Sequence, residues 1–167
     1  MKKSLILTGM MGSGKSTIGT LLSLKLKMKF IDIDKLIEKN EGASINNIFK
    51  SKGESYFRNL EEKISLKFIK KNDLIVSLGG GAFMNPLIRA SVLKNCISFW
   101  LNVAPQILAE RVARNDKRPL LKGKSLDDNL HKILLKRKEV YNLANYKINC
   151  SELTKETILK KIIKIYE

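Results

Sequence analysis

Short apolar segments alternate along the chain with longer segments in which apolar residues recur every three or four positions. Short apolar runs predict buried strands, and the longer periodic segments predict helices. The predicted strands span residues 4–8, 29–33, 74–78, 96–102 and 146–150. The predicted helices span residues 15–28, 34–40, 44–51, 54–71, 86–95, 105–114, 127–143 and 155–166. This alternation is typical of an α/β domain, in which helices cover both faces of a parallel sheet.

Length and composition favour one packed domain. The chain has 167 residues, of which 44% are apolar, which suits a single core and leaves little room for a second. No apolar run approaches the ~20 residues that span a bilayer, and the N-terminal run stops at Gly9. Two cysteines, Cys96 and Cys150, are too few for a disulfide framework. We therefore expect a single domain over residues 1–167, with reduced cysteines, in the cytoplasm.

The chain is strongly basic, with 32 lysines and arginines against 16 acidic residues and a formal net charge of +16. Most of these residues are lysines interleaved with apolar residues, a pattern typical of solvated helix faces. No basic stripe interleaved with aromatic residues accompanies them, so nucleic-acid binding is not favoured. Arginine binds phosphates and carboxylates through two parallel hydrogen bonds, so each of the few arginines is a candidate anion ligand. The six arginines are Arg58, Arg89, Arg111, Arg114, Arg118 and Arg137.

The strongest signal for chemistry lies between the first predicted strand and the first predicted helix. Residues 9–17 read GMMGSGKST, with Gly9, Gly14, Lys15 and Ser16 at the spacing of a nucleotide-binding loop. Glycines let backbone N–H groups point at phosphate oxygens, and the helix N-terminus adds the positive end of its dipole. The lysine would neutralise the β- and γ-phosphates, and the serine hydroxyl would bind Mg²⁺. The sequence therefore predicts nucleotide binding, while the loop alone leaves the acceptor open.

Other polar residues and glycines follow the predicted strands, at the sheet edge where ligands bind in parallel sheets. Asp32 and Asp34 could form a strand-end turn or a helix cap. Alternatively, alternation along an extended segment would point both carboxylates to one side, toward a metal-bound water and a substrate hydroxyl. Residues 79–81 are three glycines, which form either a flexible turn or a site of close ligand approach. Arg58 and Arg137 could form surface ion pairs or clamp a carboxylate.

Several motifs occur in a fixed order along the chain. They are residues 32–34 (DID), 53–61 (GESYFRNLE), 77–82 (SLGGGA), 118–121 (RPLL) and 137–141 (RKEVY). Over residues 5 to about 144, this order closely resembles the shikimate kinase family, part of the nucleoside-monophosphate-kinase-like group. The match departs from the family at residues 138–140, where many members carry a proline before the tyrosine. It is weakly determined at residues 150–152, near the adenine-binding segment.

The resemblance implies a fold and a reaction. The fold would be a three-layer α/β/α P-loop kinase fold with a central five-stranded parallel sheet. A mobile lid would cover roughly residues 112–126, and a substrate-binding helical region would cover roughly residues 33–61. The reaction would move the γ-phosphoryl group of MgATP to the 3-hydroxyl of shikimate, a step of aromatic amino-acid biosynthesis. The partners would be ATP and shikimate, with no nucleic acid or membrane, and the chain would be a monomer.

The resemblance also implies residue roles and Mg²⁺ as the cofactor. Nucleotide binding would fall to Gly12, Ser13, Gly14, Lys15, Ser16, Thr17, Arg111 and Arg118. Metal binding would fall to Ser16 and Asp32, with Ser77 nearby. Substrate binding would fall to Asp34, Arg58, Gly80, Gly81 and Arg137, with Glu61 holding the arginines in place. The catalytic residues would be Lys15, Asp34 and Arg118.

Two alternative functions stay open at this point. The first is phosphorylation of another small acceptor, such as gluconate or a nucleoside monophosphate. The second is a nucleic-acid-stimulated NTPase, which the positive charge suggests and which would lose activity steeply with added salt. An assay of ADP release with different acceptors separates all three.

Overall fold

The sheet has five parallel strands in a computed structural model that describes residues 2–114 and 126–167. The strands are β1 (Leu5–Thr8), β2 (Lys29–Asp32), β3 (Leu74–Ser77), β4 (Ile97–Asn102) and β5 (Tyr146–Asn149). Their order in the sheet is β2-β3-β1-β4-β5. Each neighbouring pair is parallel, so every connection must cross from one edge of the sheet to the other. The predicted five-stranded parallel sheet is confirmed.

Seven α-helices occur among the described residues; the first six lie in the connections between strands, and the seventh follows the last strand. They are α1 (Lys15–Leu26), α2 (Ile33–Glu41), α3 (Ile45–Ile69), α4 (Pro86–Asn95), α5 (Pro105–Ala113), α6 (Leu126–Tyr141) and α7 (Lys155–Tyr166). α1 packs on β1, β2 and β3 and on α7, while α4 packs on β4 and on α3. The predicted α/β architecture is therefore confirmed, with element ends that differ by a few residues.

The predicted break between the helices at 44–51 and 54–71 is present as a kink within α3. Gly53 has φ +84° and ψ 168°, a backbone conformation that a glycine adopts readily and other residues rarely do. Helical geometry resumes after this residue. The kink therefore sets the direction of the segment that carries Arg58 and Glu61.

The core lies around the three central strands. Leu5, Ile6 and Leu7 of β1 are fully buried, and so are Val76 of β3 and Phe99 of β4. Their short apolar runs have no alternation because both faces of the sheet are covered. Among the described residues, no helix is both long enough and apolar enough to cross a membrane.

Both cysteines are buried and free, as the sequence predicts. Burial raises the pKa of each thiol, Cys96 and Cys150, to about 11. A thiol with so high a pKa is almost wholly protonated near neutral pH and is a poor nucleophile. Neither cysteine is therefore a reactive group.

The carboxyl ends of β1, β2 and β3 lie side by side at one edge of the sheet. β1 pairs with β3 through Leu7 and Ser77, and β2 pairs with β3 through Asp32 and Ser77. The segments that follow these strands contain the predicted nucleotide-binding loop, the two aspartates and the three glycines. Residues far apart in the sequence are thus brought together at this edge.

Candidate active site

The loop between β1 and α1 has the backbone geometry of a phosphate cradle. Gly12 and Gly14 have φ values of +78° and +92°, and Gly14 is the N-cap of α1. Positive φ is easy for glycine and costly for residues with a side chain, so the glycines are required here. The positive end of the α1 dipole therefore faces the loop. The prediction that this loop joins a strand to a helix is confirmed.

Lys15 lies inside the loop that precedes it. Its ammonium group donates to the carbonyls of Gly9 (2.8 Å) and Met10 (2.9 Å), and the residue is buried. These carbonyls satisfy a buried positive charge with hydrogen bonds. The ammonium charge of Lys15 is thereby held inside the loop. Phosphate oxygens of a bound nucleotide would replace the two carbonyls as its hydrogen-bond acceptors.

Arg111 ties α5 to the same loop. Its Nη1 atom donates to the carbonyl of Gly12 at 3.1 Å. Arg111 also lines a cavity of about 460 Å³ together with the loop, Cys150 and Leu153. The lining also includes Ile158, and Cys150 belongs to the segment 150–152 that the sequence left weakly determined. The cavity thus offers polar groups for phosphates and apolar side chains for a base.

Ser16 and Asp32 form a hydrogen-bonded pair beside the loop. The Ser16 hydroxyl donates to Asp32 Oδ2, and Asp32 Oδ1 accepts from the backbone N–H of Lys35 at 3.3 Å. Asp32 is therefore both the N-cap of α2 and a ligand-facing carboxylate. The two roles that the sequence offered as alternatives are compatible for this residue.

The placement of Asp34 differs from the sequence prediction. The predicted strand 29–33 ends instead at Asp32, and Asp34 lies in the first turn of α2. The cap formed by Asp32 starts the helix immediately after the strand. The argument from alternation along an extended chain is therefore wrong for Asp34, although both aspartates line the same cavities.

The donor atoms at Ser16 and Asp32 fit a magnesium ion. A hydroxyl and a carboxylate are hard oxygen donors, which Mg²⁺ prefers. Within residues 2–114 and 126–167, no three His, Cys, Asp or Glu side chains group together as a protein cage for a metal. Mg²⁺ commonly binds through one or two protein oxygens plus substrate phosphates and water. This donor set matches that mode.

A second cavity of about 370 Å³ opens beside the first. Its lining mixes basic and acidic side chains: Arg58, Arg137 and Lys35, and Asp34, Glu38 and Glu61. Phe49 and other apolar residues complete the lining. We call this cavity the acceptor pocket. It has the mixed character that a small hydroxylated acid requires.

A buried carboxylate holds one of these arginines. Glu61 is 2% exposed, and its Oε2 atom accepts from Arg58 Nη1 at 2.8 Å. Burial raises the pKa of Glu61, and the charge of Arg58 opposes this without cancelling it. Nη1 of Arg137 and Oε1 of Glu61 are buried and have no hydrogen-bond partner among the residues that the structure describes. The Arg137 nitrogen is therefore a ready donor for an anion in the pocket.

The three glycines make room for the side chains of the acceptor pocket. A Cβ on Gly79 would lie 2.6 Å from Asp34 Oδ1 and 2.7 Å from Glu61 Oε1. A Cβ on Gly80 would lie 3.3 Å from an Arg137 nitrogen. The sequence suggested either a flexible turn or a close approach of a ligand. In the structure, the backbone of Gly79 and Gly80 is closely approached by charged side chains of the protein itself.

The two cavities meet at three residues, Ser16, Asp32 and Asp34, which line both. A phosphate end and an acid-binding end are thus joined through a hydroxyl and two carboxylates. This geometry suits transfer of a terminal phosphoryl group between two bound molecules.

A family model described as "Shikimate kinase" matches residues 11–167 of this sequence. The chain belongs to the shikimate kinase family. It is 43% identical over 161 residues to the shikimate kinase of Sulfurihydrogenibium sp., covering 96% of each chain. It is 39% identical over 163 residues to that of Bartonella quintana, covering 98% of this chain and 78% of the relative.

Solved structures of shikimate kinases have the same fold. The enzyme from Acinetobacter baumannii, in complex with shikimate, has a TM-score of 0.94 at 29% identity and covers 99% of this chain and 93% of its own. The enzyme from Bacteroides thetaiotaomicron has a TM-score of 0.88 at 30% identity, with coverage of 98% and 97%. A gluconokinase from Sinorhizobium meliloti has a TM-score of 0.59 at 16% identity, covering 98% of this chain and 93% of its own, a likeness of fold alone.

Most residues expected from the shikimate kinase resemblance lie in the two cavities. The nucleotide cavity contains Gly12, Ser13, Gly14, Lys15, Ser16, Thr17, Asp32, Ser77 and Arg111. The acceptor pocket contains Asp34, Arg58, Gly80, Gly81, Arg137 and the positioning carboxylate Glu61. Arg118 and most of the predicted lid lie outside the described residues.

Some lining residues were not anticipated. Asn46, Phe49 and Phe57 line the acceptor pocket, and the two phenylalanine rings are 4.9 Å apart. In the sequence these residues belong to helical patterns, where apolar residues indicate a core face and not a ligand. Only the placement of α2 and α3 reveals that this face borders a cavity.

Proposed function

We propose that this member of the family transfers the γ-phosphoryl group of ATP to the 3-hydroxyl of shikimate, giving shikimate 3-phosphate and ADP. The observation that carries the proposal is the meeting of two cavities at Ser16, Asp32 and Asp34. One cavity has the phosphate cradle, and the other is lined by two guanidinium groups and an aspartate. The solved relative from Acinetobacter baumannii in complex with shikimate supports the same assignment.

In this proposal the acceptor is held at its two ends. Arg58 and Arg137 bind the shikimate carboxylate, since burying that charge without cations would be costly. The N–H groups of Gly80 and Gly81 lie beside them. Asp34 accepts a hydrogen bond from the 3-hydroxyl, orients its oxygen toward the γ-phosphate and accepts its proton as the new bond forms.

The donor is held by the loop between β1 and α1. Backbone N–H groups of residues 12–17 bind the phosphates, and Lys15 exchanges its carbonyl partners for phosphate oxygens. Ser16 and Asp32 hold Mg²⁺, which when bound neutralises charge on the β- and γ-phosphates. Arg111 borders the nucleotide, and the proposal keeps Arg118 as a cation at the transferring group.

We further propose that residues 1–167 form one kinase domain with a lid at roughly 112–126. In this proposal the enzyme acts as a monomer in the cytoplasm. The described lining of both cavities comes from one chain, and the proposal takes the enzyme as a monomer. No role for nucleic acid or a membrane is included. In this proposal the many lysines lie on solvated helix faces and bind no partner.

An acceptor screen tests the proposal. Purified protein with MgATP is given shikimate, gluconate, CMP, a polynucleotide or no acceptor, and ADP release is followed. We expect ADP release only with shikimate, and an NMR spectrum of the product that places phosphate on the 3-hydroxyl. Asp34→Asn should abolish turnover while ATP binding persists. Faster turnover of gluconate or CMP, or stimulation by polynucleotide, would reject the proposal.

A further inference from the structure

Tyr141, the last residue of α6, contacts the acceptor pocket from behind. The residue is fully buried, and its ring stacks on Trp100 with centroids 5.7 Å apart and planes at 28°. Its hydroxyl donates a hydrogen bond to the carbonyl of Gly80. Tyr141 lines neither cavity, so its effect on a ligand must pass through residues that do.

The hydrogen bond from Tyr141 to the Gly80 carbonyl fixes the orientation of a whole peptide group. The Gly80 carbonyl belongs to the planar peptide that also carries the N–H of Gly81, and no peptide within residues 2–114 and 126–167 is cis. In a trans peptide the C=O and N–H point in opposite directions. The hydroxyl of Tyr141 therefore directs the Gly81 N–H away from itself. Glycines resist such rotation less than other residues, so an external anchor matters most here.

The same hydroxyl lies beside Arg137. The two residues are four apart on α6, so their side chains project from the same face of the helix. Burial raises the pKa of the Tyr141 hydroxyl, and the nearby charge and hydrogen bond of Arg137 oppose this. One buried oxygen thus contacts a backbone group and a guanidinium group that both border the acceptor pocket.

We propose that Tyr141 is a positioning residue for acceptor binding, which aligns the Gly80–Gly81 peptide with the guanidinium of Arg137. This inference rests on the proposed function, because it assumes that these groups bind the acid end of shikimate. It assigns Tyr141 no contact with ATP or with the reacting atoms. Loss of its hydroxyl therefore weakens acceptor binding and leaves nucleotide binding alone.

The chain offers a matched control for removal of a tyrosine hydroxyl. Tyr166 is 8% exposed, and its hydroxyl donates to the carbonyl of Lys3 at 2.7 Å. Lys3 precedes β1, at the opposite edge of the sheet from the two cavities. Tyr141→Phe and Tyr166→Phe each remove one buried hydroxyl that bonds a backbone carbonyl. Only the first is next to the acceptor pocket.

The test compares both variants with the wild type in KM for shikimate, KM for ATP, kcat and melting temperature. For Tyr141→Phe we expect KM for shikimate to rise about tenfold, the effect of losing roughly one hydrogen bond. KM for ATP should change less than twofold. Tyr166→Phe should lower the melting temperature comparably and leave both KM values unchanged. Equal shifts in the two KM values of Tyr141→Phe, or no shift, would overturn the inference.

A double-mutant cycle guards against a general loss of structure. If Tyr141 acts on the pocket through Arg137, the effects of Tyr141→Phe and Arg137→Lys on KM for shikimate are not additive. Additive effects would overturn the inference. The outcome is separable from that of the proposed function, because the wild-type acceptor screen decides the latter. If the wild type phosphorylates shikimate and Tyr141→Phe has the same KM for shikimate as the wild type, only the role of Tyr141 is rejected.

Discussion

The guanidinium group of Arg58 packs so closely against Gly81 that a Cβ on the glycine would lie 2.7 Å from Arg58 Nη1. Gly81 has φ −96° and ψ −13°, a conformation open to any residue. The glycine is therefore required for space and not for backbone freedom. Arg58 also bonds the buried carboxylate of Glu61, so a movement away from a Cβ on Gly81 would disturb that ion pair.

Gly81→Ala should displace Arg58 and weaken acceptor binding without unfolding the protein. We expect KM for shikimate to rise by roughly tenfold or more, as for loss of a hydrogen bond to a charged group. KM for ATP should stay within twofold. Steady-state kinetics with each substrate varied in turn measure both values.

Gly42→Ala is the matched control for this substitution. A Cβ there meets nothing within 4 Å, but φ is +62°, so the alanine strains the backbone. It should lower stability and leave both KM values unchanged. An unchanged KM for shikimate in Gly81→Ala would mean that the position of Arg58 does not matter for the acceptor.

Arg58→Lys tests whether the acceptor is bound through its carboxylate. Lysine keeps the charge but cannot form two parallel hydrogen bonds to a carboxylate. KM for shikimate should therefore rise roughly tenfold to a hundredfold, with KM for ATP unchanged. The primary amide of shikimate, which lacks the charge, should bind the wild type weakly and lose little more in the variant.

Arg89→Lys is the control for that pair of measurements. Arg89 donates to the carbonyls of Phe83 (3.0 Å) and Met84 (3.1 Å) and lines neither cavity. We expect a lower melting temperature and an unchanged KM. If the amide and shikimate lost affinity equally in Arg58→Lys, the arginine would act on something other than the carboxylate.

Local patterns were enough to predict the sheet and the loop. β1 is a short apolar run, and the glycines and Lys15 that follow it have a fixed spacing, so both could be located from neighbouring residues alone. The kink at Gly53 was likewise visible, because a glycine between two helical patterns indicates a break. Each strand, the loop and the kink are indicated by a few neighbouring residues.

Features that depend on long-range packing could not be predicted in the same way. The sequence did not decide whether Asp34 belongs to the extended segment or to the following helix, because the cap by Asp32 competes with the extended conformation of the strand. The charged side chains that a Cβ on Gly79, Gly80 or Gly81 would meet come from three other helices; they are Asp34, Arg58, Glu61 and Arg137. The family resemblance supplied their roles, but it did not indicate that the glycines are spaces for charged side chains.

The buried carboxylate of Glu61 should make stability depend on pH in a defined direction. Burial raises its pKa, so the folded protein binds this proton more tightly than the unfolded chain does. Its contribution to stability is therefore full below the ordinary glutamate pKa and is lost as pH rises through the folded value. The free energy of unfolding of the wild type relative to that of Glu61→Gln should fall as pH rises above the unperturbed glutamate pKa of ~4.3. Urea unfolding at several pH values measures it, and an advantage that grows with pH would contradict the sign.

Gly19 in α1 lies so close to Phe30 in β2 that replacing the glycine by alanine should destabilise the protein, opposite to the usual effect in a helix. Alanine in place of a glycine inside a helix normally stabilises by about 1 kcal/mol. Here a Cβ would lie 2.2, 2.6 and 2.8 Å from three atoms of the Phe30 ring, so the ring must leave its place. Overpacking of this kind costs about 1–3 kcal/mol, which outweighs the gain in helix propensity. Gly19→Ala should therefore lower the free energy of unfolding.

The sign of this effect should reverse once the ring is removed. In a Phe30→Ala background there is no ring to displace, so Gly19→Ala should raise the free energy of unfolding by about 1 kcal/mol. Urea unfolding of the four proteins in the cycle gives both values. Because α1 follows the phosphate loop directly, the same cycle shows whether displacing the helix affects KM for ATP. Stabilisation by Gly19→Ala in the wild-type background would mean that Phe30 moves aside at no cost, and that the close approach of α1 to β2 is not fixed by this glycine.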